Sequence, residues 1–337
     1  MKKEDFSKQL IAWQRQYGRS TLPWQNTRDP YRVWLSEIML QQTQVATVLG
    51  YYARFLERFP TVRELGAASL DEVLAMWAGL GYYSRARNLH ACAQAVVAVH
   101  NGEFPRTAEQ LQTLPGIGRS TAAAVAAFCF GERVAILDGN VKRVLSRVLA
   151  FDGDLASSAQ EKILWKHAQE LLPEQGIEPY TQGLMDLGSA ICTPRAPQCL
   201  ICPVAGLCAG RIEPLRFPVK SKKLKRGRRE NWWLWLEHEG RVLLQQRPHK
   251  GVWAGLWSLP MFEDEPSLLA SSGTTPLEAM PRIEHALTHF DWVLHTRRAE
   301  LPPLTFDPDA LPAGQWVARE ALAQYALPAP LKKMIAP

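Results

Sequence analysis

The sequence predicts a mainly α-helical chain that ends in a smaller α+β module, and three observations carry that reading. Apolar residues recur at three- and four-residue spacing through most of the first two thirds. Strand signals are scarce before residue 230. A basic, Pro-containing run at 214–230, PLRFPVKSKKLKRGRRE, then gives way to β-type sequence. A chain of 337 residues is also long for one compact core. Two domains are therefore expected, at 1–213 and 231–337, with 214–230 as the linker.

Helical periodicity covers residues 30–58, 69–78, 84–100, 107–113, 119–129, 138–149 and 158–172, broken by Gly and Pro. One start is well marked, because Asp29 can cap the helix that Pro30 opens. After the basic run, NWWLWLEHEGRVLLQQR predicts two strands around a tight turn at Glu239–Gly240. Alternation through His285, Leu287, His289 and Trp292 predicts a third strand at Ile283–Arg297, and Arg319–Ile335 reads as partly helical. No internal repeat is visible.

Composition removes several function classes. Apolar content of 47% and charged content of 21% fit a globular chain rather than a disordered one. No apolar stretch approaches the ~20 residues of a membrane helix. The N-terminal MKKEDFSKQL lacks the apolar region of a secretory signal, so a cytoplasmic location is expected. The net charge of +6 is uneven. Residues 1–230 hold 30 Lys and Arg against 21 Asp and Glu, whereas residues 231–337 hold 9 against 12. A basic lobe joined to a mildly acidic one suggests a polyanionic partner for the first, although a solvated basic surface gives the same balance.

Four of the six cysteines, Cys192, Cys199, Cys202 and Cys208, crowd into the loop 192–208 with spacing C-x6-C-x2-C-x5-C. In a reducing compartment such crowding means metal more often than disulfide. Tetrahedral zinc and an iron–sulfur cluster both fit four thiolates. Zinc sites usually pair two C-x2-C knuckles, and this loop has one, which favours the cluster. Cys92 and Cys129 lie in alanine-rich helical stretches and read as small core residues.

Residues 107–129, TAEQLQTLPGIGRSTAAAVAAFC, predict two short helices around a Pro-Gly turn. Gly116 and Gly118 permit a tight turn and the close approach of another backbone. The second helix opens beside Arg119, Ser120 and Thr121 with unpaired N–H groups, a phosphate site that positions without reading sequence.

The Leu114-Pro115-Gly116-Ile117-Gly118 hairpin, the aspartate 20 residues beyond it and the four-cysteine loop together resemble the helix-hairpin-helix DNA glycosylases of the endonuclease III superfamily. Further motifs resemble its adenine-specific, MutY-type branch. They are Leu22-Pro23-Trp24, the run from Trp34 to Val45 (WLSEIMLQQTQV), Gly79-Leu80-Gly81-Tyr82-Tyr83, Leu137-Asp138-Gly139-Asn140-Val141 and Met185-Asp186-Leu187-Gly188. The resemblance is dense over residues 20–210 and looser beyond. It implies a helical two-lobed domain with duplex DNA in the cleft, one 4Fe–4S cluster on the four cysteines, and adenine flipped out opposite guanine or 8-oxoguanine. It also implies a monomer that works on the nucleoid during repair.

Residue roles follow from chemistry and resemblance together. Breaking an N-glycosidic bond requires a proton on the departing base and leaves a cation-like sugar. Glu37, flanked at helical spacing by Val33, Trp34, Leu40 and Gln41, is the candidate acid, kept protonated by burial. Asp138, at a predicted helix start, is an ordinary cap by position and the sugar-cation stabiliser by resemblance. Asn140 matches the polar partner that orients water or base. Ser120 stands where strand-cutting relatives carry a Schiff-base lysine, so a glycosylase without efficient lyase activity is expected. Lys142, one turn past Asp138, reads as a phosphate contact.

Gln42 and Tyr82 match positions that fill the hole left by a flipped base, and Leu22, Trp24 and Gln182 match the adenine pocket. In some relatives position 182 is a glutamate. Residues 231–337 resemble a Nudix-like lesion-recognition domain without the glutamate-rich hydrolase signature. Leu287-Thr288-His289 replaces the relatives' Phe-Ser-His triplet, so Thr288 and His289 are the expected lesion contacts. A pyrimidine-lesion glycosylase/lyase and a non-enzymatic, DNA-binding cluster protein are the competing readings.

Overall fold

The computed structural model describes residues 3–221, 226–272, 275–301 and 312–335. In chain order the helices are α1 (Lys3–Tyr17), α2 (Pro30–Leu40), α3 (Val45–Arg58), α4 (Val62–Ala67), α5 (Leu70–Trp77), α6 (Ser84–His100), α7 (Ala108–Leu111), α8 (Arg119–Phe130), α9 (Gly139–Val148), α10 (Ser158–Glu170) and α11 (Ile177–Asp186). The strands β1 (Gly227–His238), β2 (Arg241–Gln246), β3 (Trp257–Ser258) and β4 (Met261–Phe262) follow, then α12 (Glu265–Ser271), β5 (Glu278–Ala286), β6 (Phe290–Glu300), β7 (Gln315–Ala318) and α13 (Ala329–Ile335). Two compact units interleave along the chain. One takes residues 1–48, 61–66 and 91–223, and the other takes 49–60, 67–90 and 224–337.

The first unit is built around α8 and α9. Ala122 to Ala127 are buried on α8, and their small side chains let other helices approach closely. Phe6 and Leu10 of α1, Val141, Val144 and Leu145 of α9, and Tyr180 and Leu184 of α11 complete one contiguous core. α2 packs on α8, and α1 packs on α11. Gly183 makes the second contact close, since a Cβ there would stand 3.1 Å from Leu10 Cγ.

The second unit holds a seven-stranded sheet of order β3-β2-β1-β6-β5, with β4 also beside β1 and β7 beside β2. β1 and β6 run parallel, from Gly227 opposite Phe290 to Glu237 opposite Glu300, whereas β2, β3, β4, β5 and β7 pair antiparallel. Residues Trp233 to Glu237 are buried in succession. A strand covered on both faces reads as a continuous apolar run rather than an alternation. Glu237, buried among them, accepts hydrogen bonds from Trp235 Nε1, Arg298 Nη2 and Arg319 Nη1 at 2.9, 2.7 and 2.8 Å, so its charge is paired on every side.

The helical periods at 84–100, 119–129 and 138–149 match α6, α8 and α9 to within a residue or so, and the strand pair around Glu239–Gly240 forms as β1 and β2. Three expectations need correction. The period read over 30–58 is broken at residues 41–44, where Gln42 takes φ 56°, and α2 and α3 are separate helices. The strand expected at Ile283–Arg297 is two strands: Leu287–His289 turn the chain, with Leu287 N–H donating to Phe290 O at 2.9 Å. β1 begins at Gly227, inside the run read as linker, because β6 supplies a ladder partner that local sequence does not reveal. Helices α1, α4, α11 and α12 lie outside the periods visible in the sequence; α1 is mostly polar and buries few side chains. Among the described residues no helix is long and apolar enough to cross a membrane.

The α1 contact is testable. Leu10 is fully buried, so Leu10→Ala is expected to cost about 2–5 kcal/mol and to lower the urea midpoint of the first unit. An unchanged midpoint would show that α1 is not part of this core.

Candidate active site

α2 brings the first carboxylate into place. Asp29 Oδ1 accepts from Tyr31 N–H at 2.9 Å, Pro30 fills the first helical position, and Val33, Trp34, Leu35, Ile38 and Met39 are buried. Glu37 is carried by this apolar helix to the wall of a cavity of about 510 Å³. Burial, and secondarily the charge of Asp138, pushes its carboxyl from the ordinary 4.5 up to about 8.

Asp138 lines the same cavity and is the N-cap of α9, its Oδ1 accepting from Val141 N–H at 2.7 Å. Burial raises its pKa, while the N–H groups of Val141 and Asn140 and the charges of Arg143 and Lys142 oppose the rise. Glu37 has no such opposition. Burial thus acts on both carboxyls, but only at Asp138 do hydrogen bonds and positive charges counter it.

Ser120, in the first turn of α8, accepts from Leu137 N–H through its Oγ at 2.8 Å and so fixes the backbone next to Asp138. Asn140 also lines the cavity, its Oδ1 held by Arg143 Nη2 at 2.9 Å. Gly188 presses against it: a Cβ there would lie 2.8 Å from Asn140 Cβ. Leu22 and Trp24 line the cavity as well, and Leu22 N–H donates to Gln25 Oε1 at 3.2 Å. Gln182, on α11, donates from Nε2 to Asp186 Oδ1 at 2.9 Å. Seven residues singled out from sequence thus meet in one cavity: Leu22, Trp24, Glu37, Ser120, Asp138, Asn140 and Gln182. Arg19 also lines the cavity and pairs with the buried Asp186, and neither is singled out in the sequence. Asp186 lay inside a quoted motif, whereas nothing local marked Arg19.

Gln42 is exposed beside this cavity, between the lining residues Gln41 and Thr43. Gly116 needs its glycine, with φ 72°, whereas Gly118 is extended and a Cβ there would meet nothing within 4 Å. In the second unit, Tyr82 projects from a tight loop in which Gly79, Gly81 and Tyr82 all have positive φ. Trp77 Nε1 and Arg85 Nη2 hold the carbonyls of Gly81 and Leu80, and the Tyr82 ring is 46% exposed. Its hydroxyl lies 3.1 Å from Thr288 Oγ1 in the β5–β6 turn, where His289 is exposed too.

The four cysteines line a second, small cavity walled by Val144, Val148, Leu187, Ile191 and Val204. Among the described residues no three His, Cys, Asp or Glu side chains are close enough to hold a single ion. Four thiols around a space walled by apolar side chains are a donor set that fits an iron–sulfur cluster. Arg147 of α9, only 3% exposed, anchors the loop. Its guanidinium donates to the carbonyls of Pro214, Thr193 and Pro194 at 2.7, 2.7 and 3.2 Å and to Cys192 Sγ at 3.3 Å.

A hairpin helix, an aspartate capping the next long helix and a four-cysteine loop on that helix's far end define a base-excision glycosylase architecture. Residues 35–170 match the profile of HhH-GPD superfamily base excision DNA repair proteins, 192–208 the iron–sulfur binding domain of endonuclease III, and 231–337 the NUDIX domain. Among solved structures, a thermostable thymine-DNA glycosylase aligns at TM-score 0.56 and 28% identity, covering 62% of this chain and 96% of that one. An endonuclease III trapped on DNA aligns at 0.54 and 25%, covering 64% and 100%. The adenine DNA glycosylase of Buchnera aphidicola subsp. Baizongia pistaciae is 36% identical over 84% of this chain and 83% of its own, and that of Homo sapiens 34% over 98% and 73%. The chain belongs to the adenine DNA glycosylase family.

Two consequences can be measured. Arg147→Met strands several loop carbonyls without a donor and should lower iron content per purified chain well below that of wild type; full iron loading would remove the anchoring role. Between pH 4.5 and about 8 the folded chain keeps a proton on Glu37 that the unfolded chain has released, so this group lowers stability as pH rises through that window. Glu37→Gln should therefore be more stable than wild type in urea, by a margin that grows from pH 5 to pH 8. A margin independent of pH would refute the raised pKa of Glu37.

Proposed function

We propose that this glycosylase hydrolyses the N-glycosidic bond of adenine mispaired with 8-oxoguanine or guanine in duplex DNA and leaves the strand uncut. The observation that carries this reading is the Glu37–Asp138 pair, two carboxylates in one cavity of which one is pushed up to about 8 and the other is held by backbone N–H groups and positive charges.

In the reaction the target nucleotide leaves the stack and enters the cavity, with Leu22 and Trp24 against the base and Gln182 at its polar edge. Glu37 gives its proton to a ring nitrogen as the glycosidic bond breaks, and the bonding electrons depart with neutral adenine. Asp138, ionised, stabilises the sugar cation across the short distance that a shared cavity imposes. Water held by Asn140 then adds to the sugar carbon and passes its proton to a carboxylate. Ser120 offers no amine, and the Lys142 ammonium is engaged by Glu161 at 2.8 Å, which supports hydrolysis without strand scission.

Gly116, Gly118 and the first turn of α8 receive the phosphate backbone, and the open space at Gly118 favours that approach. Gln42 and Tyr82, exposed and held in left-handed conformations, fill the vacated stack. Thr288 and His289 read the partner base, Thr288 already beside Tyr82. Cys192, Cys199, Cys202 and Cys208 would hold a 4Fe–4S cluster, which cross-links the loop when bound. The enzyme acts as a monomer in the cytoplasm, on the nucleoid.

The test is single-turnover release from duplexes carrying A opposite 8-oxoguanine, A opposite G, A opposite T, and thymine glycol opposite A, with and without hot alkali. Adenine release from the first two, with breaks only after alkali, is expected. Breaks without alkali, or activity on thymine glycol alone, would establish the pyrimidine-lesion reading instead. The rate should fall above about pH 8 as Glu37 loses its proton, and fall again in acid as Asp138 gains one, and Glu37→Gln should bind duplex yet release no base.

A further inference from the structure

We infer that Asp186 is a positioning residue that makes the pocket selective for a base bearing an exocyclic amine, by locking the Gln182 amide with its carbonyl end free for the ligand. This rests on the proposed adenine pocket and adds the device that sets its polarity.

An isolated glutamine cannot distinguish an amine from a carbonyl, because its amide can turn over and present either end. Gln182 is not isolated. It stands one turn before Asp186 on α11, and its Nε2 donates to Asp186 Oδ1 at 2.9 Å. Asp186 is 2% exposed and cannot swing away. Arg19 grips both of its oxygens, Nε donating to Oδ1 at 2.6 Å and the backbone N–H to Oδ2 at 3.0 Å.

A carboxylate in an ion pair only accepts. Turning the Gln182 amide over would bring a carbonyl oxygen against Oδ1 and lose a charge-assisted hydrogen bond, both unfavourable in a buried setting. One N–H of the Gln182 amide is therefore committed to Asp186, which fixes the side on which its carbonyl oxygen, the amide's only acceptor, meets what occupies the cavity. Adenine offers an amine to that acceptor. Hypoxanthine and guanine offer a carbonyl at the same ring position, which meets the acceptor lone pair to lone pair.

Replacing Asp186 by asparagine would release the lock, since a side-chain amide can both donate to and accept from Gln182. The experiment compares single-turnover release of adenine and of hypoxanthine, each opposite 8-oxoguanine, by wild type, Asp186→Asn, Asp186→Glu and Gln182→Met. Single-turnover rate ratios do not depend on the fraction of folded enzyme, so loss of stability alone does not move them. The adenine-to-hypoxanthine ratio should fall roughly tenfold or more in Asp186→Asn and be retained in Asp186→Glu, which keeps a pure acceptor. An unchanged ratio in Asp186→Asn, with a collapsed ratio in Gln182→Met, would overturn the lock while leaving the pocket in place. A ratio unchanged in Gln182→Met would overturn the pocket assignment and the lock together.

Discussion

Two carboxylates share one partly apolar cavity, and the local structure treats them differently. Negative charge on both is costly in a setting of low polarity, and each raises the cost of ionising the other. Asp138 has the backbone N–H groups of α9 and two basic neighbours, whereas Glu37 has apolar helix around it. Ser120 adds to this asymmetry indirectly, by pinning the peptide that delivers Asp138.

α9 turns this local arrangement into a property of the whole unit. Its N-terminus is capped by Asp138 and its last turn carries Arg147, so a helix of ten residues ties the carboxylate at one end to the cysteine loop at the other. Arg143, between them, reaches Asn140, Gly188 and Cys192 together. A buried arginine with four or more acceptors is stable where a lysine would leave most of them unsatisfied, because only the guanidinium fork spans several directions at once. The cysteine loop holds the far end of the helix that presents Asp138.

The second unit solves a different problem, that of exposing an aromatic ring without letting it collapse onto the core. Glycines at 79 and 81 allow the turn, the Trp77 indole and the Arg85 guanidinium fasten its carbonyls, and Tyr82 is left at a positive φ that its neighbours enforce. Thr288 arrives beside it from a hairpin more than two hundred residues later in the chain.

The sequence by itself determined what local chemistry encodes. Helical periods, the Asp29–Pro30 start, the glycine turn at Gly116 and the cysteine spacing are written in short runs of residues, where spacing and side-chain type suffice; Glu37 and Asp138 stand out only through the resemblance of the motifs that hold them. Tertiary structure alone decided the rest. That Gln182 has a fixed polarity depends on Arg19 and Asp186, 167 residues apart, and no local pattern links them. That β1 starts at Gly227 depends on β6 lying alongside it, so a stretch that reads as a solvated basic linker is recruited into a sheet. The break at Gln42 and the turn at Leu287–His289 interrupt periods that continue unbroken in sequence, because apolar spacing records which faces are buried and is silent about where the backbone reverses. Ionisation was decided last and least locally: a glutamate is an acid at 4.5 until a fold removes its water and sets an aspartate nearby.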